Sequence, residues 1–282
     1  MRNYILGGAQ LGQGYGHFVR STTLSLESLS GLMSFALLEG INEIDGAQNY
    51  SSMFENIARV DVSEKFLIAT KIEYKLAEEA KILFELKLTL TVLRSRSFSF
   101  LLIHNWHKLN DENRQHAINF LNKLKNDGIC LKIGISVYEV SEIESYCKSI
   151  DIIQAPLNFF NMSFLLDSLV LELHKEGLEF YARGIFHQGT LLNSSKASLM
   201  FPKEFSKFEK YCERNGFSKI QAALSIYDGQ KIFSRLIIGV NSKEQLSSIL
   251  DAPIALGTIS PDLLNSSYEP SLVDPRRWGE IK

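Results

Sequence analysis

Residues 40–50 read GINEIDGAQNY, an apolar, strand-like run that closes on Asp45 and reaches Tyr50 five residues later. An aspartate that closes a strand is most often a turn former, and an isolated tyrosine is most often amphipathic packing. We nevertheless treat Tyr50 as a candidate proton donor. What decides between these interpretations is whether other strands end in the same way.

Two later apolar runs each end in an ionisable residue. Residues 66–71 read FLIATK and close on Lys71, and residues 98–104 read FSFLLIH and close on His104. Taken singly, Lys71 could be a solvated strand end and His104 a satisfied core histidine. Together with Asp45 they form three strand ends that each deliver one ionisable group, which is how a parallel α/β barrel builds an active site.

The rest of the chain alternates between strand-like and helix-like segments. Short apolar runs predict strands over 3–8, 40–45, 65–71, 98–104, 130–136, 151–155, 178–183 and 236–239. Helical spacing of apolar residues predicts helices over 25–39, 54–60, 76–93, 113–127, 140–149, 164–177, 205–215, 219–226 and 242–250. Eight strands joined by crossovers imply a parallel sheet, and the expected fold is an α/β, (β/α)8 TIM barrel. We expect a single domain over 1–282, with a long connection over 184–201 and a C-terminal extension over about 253–282.

The glycine-dense residues 12–16, GQGYG, could be mistaken for a phosphate-binding fingerprint. That motif needs its third glycine two residues further on and a helix that starts at once. Here polar residues run from 17 to 23 before any helical pattern, so a turn at the barrel mouth is the better interpretation.

The composition of the 282 residues limits the class of partner. The net charge is -2 without a dense Lys/Arg run, which argues against a nucleic-acid or anionic-membrane surface and favours a small-molecule substrate. Three widely spaced cysteines without a C-x-x-C or His-rich cluster predict reduced thiols and no metal site. No basic, apolar leader and no apolar run of ~20 residues is present, so we expect a cytoplasmic protein. The oligomeric state is open.

The strand-end residues Asp45, Tyr50, Lys71 and His104 resemble the catalytic tetrad of the aldo-keto reductase family. The segments 7–12 (GGAQLG), 134–136 (GIS) and 237–246 (IIGVNSKEQL), together with Gln154, also fall where later signatures of that family would, so the resemblance covers nearly the whole chain. Residues 181–192 (YARGIFHQGTLL) and the C-terminus are similar to a branch found among bacterial surface-polysaccharide and sugar-biosynthesis enzymes. The resemblance implies an NADP(H)-dependent oxidoreductase that reduces a carbonyl, in a sugar or sugar derivative, to an alcohol.

In this chemistry hydride reaches carbon while a proton reaches oxygen, so the site needs a donor aimed at that oxygen. The resemblance implies that Tyr50 is the donor and that Lys71 supplies the cation that eases loss of a phenol proton, whose pKa is ordinarily ~10. Asp45 would hold Lys71, and His104 would orient the carbonyl or relay a proton.

The cofactor residues follow from the same resemblance. Ser136 and Gln154 would bind the nicotinamide carboxamide, while the adenosine end would meet Gly239, Asn241, Ser242, Lys243 and Gln245. NADP(H) is expected, with Lys243 or a basic tail residue near the 2'-phosphate, and NAD(H) is the open alternative. Arg183 stands where relatives carry the aromatic residue that stacks under the nicotinamide ring, unless it turns away into a salt bridge. Val137, Ser51 and Ile249 depart from the common pattern.

Residues after the barrel strands are the candidates for substrate contact, although such side chains are often only packing. They are Asn105, Trp106, Phe159 and His187. Two other functional classes are open: a catalytically weak, nucleotide-binding regulatory barrel, and a metallohydrolase that uses Asp45 and His104. The latter lacks the His-x-His pair that such a site usually has.

Overall fold

The computed structural model describes residues 2–12, 24–50, 52–255, 257, 259–264, 268 and 270–274. The side chains of residues 145, 146, 196, 197, 270 and 271 are outside this description. So are residues 13–16 of the glycine loop, Ser51, and the basic tail residues Arg276 and Arg277.

Eight parallel strands form a closed barrel in which each strand pairs with the next and β8 pairs with β1. In chain order, β1 to β8 are Tyr4–Gly7, Glu43–Asp45, Leu67–Ile72, Phe98–Ile103, Cys130–Ser136, Ile152–Pro156, Glu179–Arg183 and Phe233–Ile238. The expectation of a (β/α)8 TIM barrel is confirmed.

The α-helices of the described residues surround the barrel or extend it at the C-terminus. In chain order, α1 to α11 are Leu26–Leu38, Met53–Ala58, Glu79–Val92, Asp111–Asn126, Ser168–Lys175, Ser194–Met200, Pro202–Asn215, Lys219–Asp228, Lys243–Leu250, Pro261–Leu264 and Pro270–Val273. The long connection predicted over 184–201 contains a 3-10 segment, His187–Leu192, and then α6. Within the described residues, no helix is long and apolar enough to cross a membrane.

The α-helix predicted over 140–149 is wrong. The chain there forms two 3-10 segments, Val140–Glu142 and Ser145–Ser149, separated by extended backbone. The Glu142 carbonyl accepts a hydrogen bond from Trp106 Nε1 at 2.9 Å, and the Glu142 carboxylate accepts one from the Tyr138 amide at 3.3 Å. The bond from Trp106 engages the Glu142 backbone carbonyl, and Ile143 and Glu144 have extended backbone, so the helical ladder is interrupted there.

The barrel encloses a small apolar interior that is distinct from the larger core between strands and helices. Its members are Ile5, Ala69, Phe100, Leu102, Ile152, Tyr181 and Ile237, all buried. Side chains fill the barrel at this level, so space for a ligand exists only above them, where the strands end.

Candidate active site

A cavity of about 610 Å³ opens at the carboxyl ends of the strands. Asp45, Tyr50, Lys71 and His104 all line it. Asp45 is the last residue of β2, Lys71 lies on β3, and His104 follows β4 with its amide bonded to the Ile72 carbonyl at 2.7 Å. The fold thus brings together four residues that are spread over 60 positions of the sequence.

Lys71 and Asp45 form a buried ion pair. The Lys71 Nζ lies 2.6 Å from both carboxylate oxygens of Asp45, and only 3% of Lys71 and 5% of Asp45 is exposed. Burial lowers the pKa of the Lys71 ammonium below its ordinary value, and the attraction of Asp45 opposes that shift. The charge of Lys71 therefore depends on Asp45.

The loop that carries Tyr50 is tied to the neighbouring strand. The Gly46 amide donates to the Ala69 carbonyl at 3.0 Å, and the Gln48 amide donates to the Lys71 carbonyl at 2.9 Å. These bonds extend the β2–β3 pairing beyond Asp45 and fix where the loop turns. The Tyr50 ring consequently stands over the ion pair, with its centroid 5.7 Å from Lys71 Nζ.

Two glycines make room for the side chain that anchors this loop. A Cβ at Gly8 would lie 2.3 Å from Met53 Sδ, and a Cβ at Gly46 would lie 2.4 Å from Met53 Cε. Met53, the first residue of α2, therefore packs directly against the backbone at the ends of β1 and β2. This contact holds the segment after Tyr50 against the barrel.

His104 stands edge-on to Tyr50, with the two ring centroids 6.3 Å apart. Burial, followed by the positive charges of Lys71 and Arg183, lowers the pKa of His104 to about 3. The imidazole is therefore neutral near pH 7, and a neutral imidazole offers one N–H donor and one acceptor nitrogen.

Ser136, the last residue of β5, pairs in register with Gln154 in the middle of β6, and both residues line the same cavity. Both are buried, and neither the oxygen nor the nitrogen of the Gln154 amide has a hydrogen-bond partner among the described residues. A buried amide without partners costs free energy unless a ligand or water satisfies it. An amide-bearing ligand fits this pair, because a carboxamide can accept from and donate to Gln154 at once.

Arg183 ends β7 and points along the cavity wall. Its Nη2 donates to the Val137 carbonyl at 2.8 Å, and its Cζ lies 4.1 Å from the centroid of the Tyr138 ring. The salt bridge considered as the alternative is not found among the described residues, and the guanidinium remains in the cavity lining.

The family model for the aldo/keto reductases matches residues 4–260. The chain belongs to the aldo/keto reductase family. Its barrel resembles the glycerol dehydrogenase AKR11B4 from Gluconobacter oxydans, with 21% identity, a TM-score of 0.69, and 92% of this chain and 88% of that chain covered. It also resembles the thermostable aldo-keto reductase Tm1743 solved with the inhibitor epalrestat, at 19% identity and a TM-score of 0.69, covering 93% and 92% of the two chains. Among curated proteins, none matches the sequence significantly. Family membership implies an NAD(P)H-dependent oxidoreductase that acts on small-molecule carbonyl compounds.

At the start of α9, this aldo-keto reductase uses part of the predicted cofactor set for capping. Ser242 accepts from the Gln245 amide at 3.2 Å, and Gln245 Oε1 accepts from the Asn241 amide at 2.7 Å. Gly239, Asn241 and Gln245 line the cavity, and Asn241 Oδ1 is buried without a partner among the described residues. Ser242 and Lys243 are not in the lining, and Lys243 Nζ lies 5.0 Å from the centroid of the Phe35 ring.

Three of the four predicted substrate residues pack away from the cavity. The Asn105 amide pairs with the backbone of Tyr74 at 2.8 and 3.1 Å, Trp106 is fully buried, and Phe159 packs edge-on against Phe160 at 5.5 Å. None of the three lines the cavity. Each of these side chains packs in the protein interior and does not face the mouth of the barrel.

The fourth residue, His187, lines the cavity but is already engaged. Its Nε2 contacts the Leu272 carbonyl at 2.8 Å, and its Nδ1 contacts Thr190 Oγ1 at 2.7 Å. Because a carbonyl only accepts, Nε2 must carry the proton. Burial lowers the pKa of His187 to about 4, so the imidazole that links the loop after β7 to the C-terminal segment is neutral.

Sequence reasoning missed several cavity residues of this aldo-keto reductase. They are Tyr138, Asn158 and Ser248, while Gln10 and Glu244 lie in the quoted segments 7–12 and 237–246 but were given no role. Tyr138 was accessible to the strand-end argument, since it follows β5 by two residues. The described residues contain no cluster of three histidines, cysteines or acids that could hold a metal ion.

Proposed function

We propose that the protein is an NADP(H)-dependent oxidoreductase that reduces the carbonyl of a sugar or sugar derivative to an alcohol, with Tyr50 as the proton donor. The observation that carries this proposal is the buried Lys71–Asp45 pair beneath the ring of Tyr50, with His104 beside it in one cavity. A buried ion pair is weak evidence for stability by itself, because desolvation offsets much of the attraction. Its place beside a phenol in a cavity argues for chemistry.

The dinucleotide would be held by residues whose polar atoms are available. Gln154 and Ser136 would bind the carboxamide, and Asn241 with the backbone after Gly239 would bind the adenosine end. When bound, the reduced nicotinamide supplies hydride to the carbonyl carbon.

The chain itself handles the proton. As hydride reaches the carbon, the carbonyl oxygen gains negative charge and takes the proton from the Tyr50 hydroxyl. The phenolate left behind is stabilised by the ammonium of Lys71, which Asp45 keeps charged. In the direction of alcohol oxidation the same phenolate accepts the proton.

His104 would orient the substrate. Because the imidazole is neutral, it donates a single N–H hydrogen bond to the carbonyl oxygen without adding charge. Because the two rings line one cavity with centroids 6.3 Å apart, both donors would bind the same carbonyl oxygen.

Polar side chains elsewhere in the lining support a polyhydroxylated substrate. Gln10, Gln188 and Asn193 all line the cavity. For the cofactor, NADP(H) is supported by the pattern of residues 242–245. Lys243 is exposed on the first turn of α9, next to Glu244 and Gln245 of the lining, and its long side chain can rotate towards a 2'-phosphate.

The test is Tyr50→Phe, assayed by the absorbance of reduced nicotinamide with a panel of aldoses and small polar aldehydes. Turnover is expected to fall by a factor of ~100 or more while dinucleotide affinity, measured by fluorescence, stays close to the parent's. Tyr211→Phe is the matched control, because it removes a hydroxyl bonded to Ser225 at 2.8 Å outside the cavity lining.

A Tyr50→Phe enzyme as active as the parent would show that the proton comes from another group. A parent that binds dinucleotide without turning over any carbonyl would favour the regulatory barrel.

A further inference from the structure

Arg183 is a cation inside the cavity that lacks a carboxylate partner among the described residues. Within the described parts of the chain, every other arginine that is at least partly buried is paired with an acid. These pairs are Arg2–Asp228, Arg114–Glu144 and Arg235–Glu43. Arg183 instead contacts a backbone carbonyl and an aromatic ring.

The carboxylates that line the cavity do not compensate Arg183. Both oxygens of Asp45 are bound by Lys71, and Glu244 is an exposed residue of α9. At the strand-end part of the cavity the described residues thus place two cations, Lys71 and Arg183, against one acid. This part of the site has an excess of positive charge that an anion would balance.

The guanidinium is also fixed in place. Its Nη2 is anchored to the Val137 carbonyl, and one face covers the Tyr138 ring. The other face and the remaining N–H donors have no protein acceptor among the described residues. A planar, preorganised guanidinium fork matches a carboxylate or a phosphate and is a poor match for a neutral hydroxyl.

We propose that Arg183 recognises a carboxylate or phosphate group of the carbonyl substrate, so that the enzyme prefers an acidic sugar over its neutral counterpart. The proposal rests on the proposed function and deepens it by naming the substrate class. The anion could instead be a phosphate of the dinucleotide. The substrate is favoured because Arg183 ends β7 and lines the strand-end part of the cavity with Lys71 and His104, whereas the expected adenosine contacts lie at the start of α9.

The experiment compares substrate pairs that differ in one anionic group: D-glucuronate with D-glucose, and glyoxylate with glycolaldehyde. The variants are Arg183→Gln, which removes the charge and keeps a planar amide, and Arg183→Lys, which keeps the charge and removes the fork. Arg96→Gln removes one charge from the exposed surface and is the matched control. The readout is the ratio of kcat/KM for acid over neutral substrate, in which differences in open-chain fraction cancel between variants.

In Arg183→Gln this ratio is expected to fall by about tenfold or more, because one charge-assisted hydrogen-bonded contact is lost. Arg183→Lys should be intermediate, Arg96→Gln should match the parent, and the affinity for reduced dinucleotide should change by less than about threefold. An unchanged ratio overturns the proposal. So does a large loss of dinucleotide affinity with equal losses for acid and neutral substrates, because the anion would then be a dinucleotide phosphate.

A thermal-shift series with D-glucuronate and D-glucose needs no turnover. If the parent reduces none of the four compounds, the proposed function fails for these substrates while this series still tests Arg183. Stabilisation by D-glucuronate that is lost in Arg183→Gln supports the assignment, and equal shifts in the two proteins refute it.

Discussion

The charge on Lys71 is held by Asp45, and Asp45→Asn should make the stability of the protein depend on pH in a way that the parent's does not. At 2.6 Å and an effective dielectric constant of about 20, the attraction in the pair is about 6 kcal/mol. Without this attraction, Lys71 can avoid being a buried, unpaired charge only by losing its proton. At pH 7 that loss costs about 4.6 kcal/mol for a lysine of ordinary pKa about 10.4. Deprotonation therefore limits the destabilisation to about 3–5 kcal/mol, the range found when a buried pair loses one partner.

The sign of the pH effect follows from proton linkage. In Asp45→Asn the folded state has a neutral Lys71 while the unfolded state keeps a charged lysine up to about pH 10. The unfolded state then binds more protons, so stability rises with pH by up to about 1.4 kcal/mol per unit. Between pH 7 and 9 the variant should recover up to about 2.7 kcal/mol relative to the parent, whose Lys71 pKa is lowered less because Asp45 opposes the shift.

The assay is urea unfolding of three proteins at pH 7, 8 and 9: the parent, Asp45→Asn and Asp228→Asn. Asp228 is matched in burial, with 2% of its side chain exposed, but its partner Arg2 cannot lose its proton in this range. Asp228→Asn should therefore be destabilised by a similar amount at all three pH values. Parallel plots for Asp45→Asn and Asp228→Asn would refute the claim that Asp45 keeps Lys71 charged.

Burial lowers the pKa of His104 to about 3 and that of His187 to about 4. The unfolded state therefore binds more protons below about pH 6.5, so the free energy of unfolding should be highest above that pH and should decrease as the pH falls towards 4. Urea midpoints from pH 7.5 to 5 test this, and His187→Gln should make the decline shallower. The pH–rate profile for reduction should likewise show no limb near pH 6.5 from His104, and such a limb, abolished in His104→Gln, would contradict a neutral imidazole. Lys243→Ala should raise the Michaelis constant for NADPH more than that for NADH, and equal constants in parent and variant would exclude a contact with the 2'-phosphate. In Arg183→Gln the affinity for oxidised dinucleotide should rise relative to that for reduced dinucleotide, because the permanent charge that opposes the cationic nicotinamide ring is gone. An unchanged ratio of the two dissociation constants would place the guanidinium away from the nicotinamide ring.

The barrel and the residues at its strand ends were predictable from the sequence. Lys71 and His104 each close a largely apolar run, and such a run is a local signal of a strand buried on both faces. Asp45 closes a shorter run that Asn42 and Glu43 interrupt. In a parallel barrel all strands end at the same rim, so these residues had to meet wherever the helices packed. Ser136 and Gln154 were predicted only from the family resemblance, and the register of β5 and β6 places them side by side.

Side-chain partners were not predictable, because they come from distant parts of the chain. The Asn105 amide bonds to Tyr74, 31 residues away, and Trp106 bonds to the Glu142 carbonyl, 36 residues away. The second contact also engages the carbonyl that the helix predicted over 140–149 would have used. Helical periodicity shows only how apolar residues are spaced along one segment. It does not show that a hydrogen-bond donor on another loop will bind a backbone carbonyl of that segment.

The same limit applies to the charges around the cavity. The sequence placed Lys71, Arg183 and Lys243 at the ends of strands or at the start of a helix, and those positions follow from local pattern. Whether each charge is buried with an acid, stacked on a ring in the cavity, or turned outwards was decided by the tertiary structure. Packing brought Asp45 to Lys71, Tyr138 to Arg183 and Phe35 to Lys243, since a long side chain takes the direction that its three-dimensional neighbours stabilise.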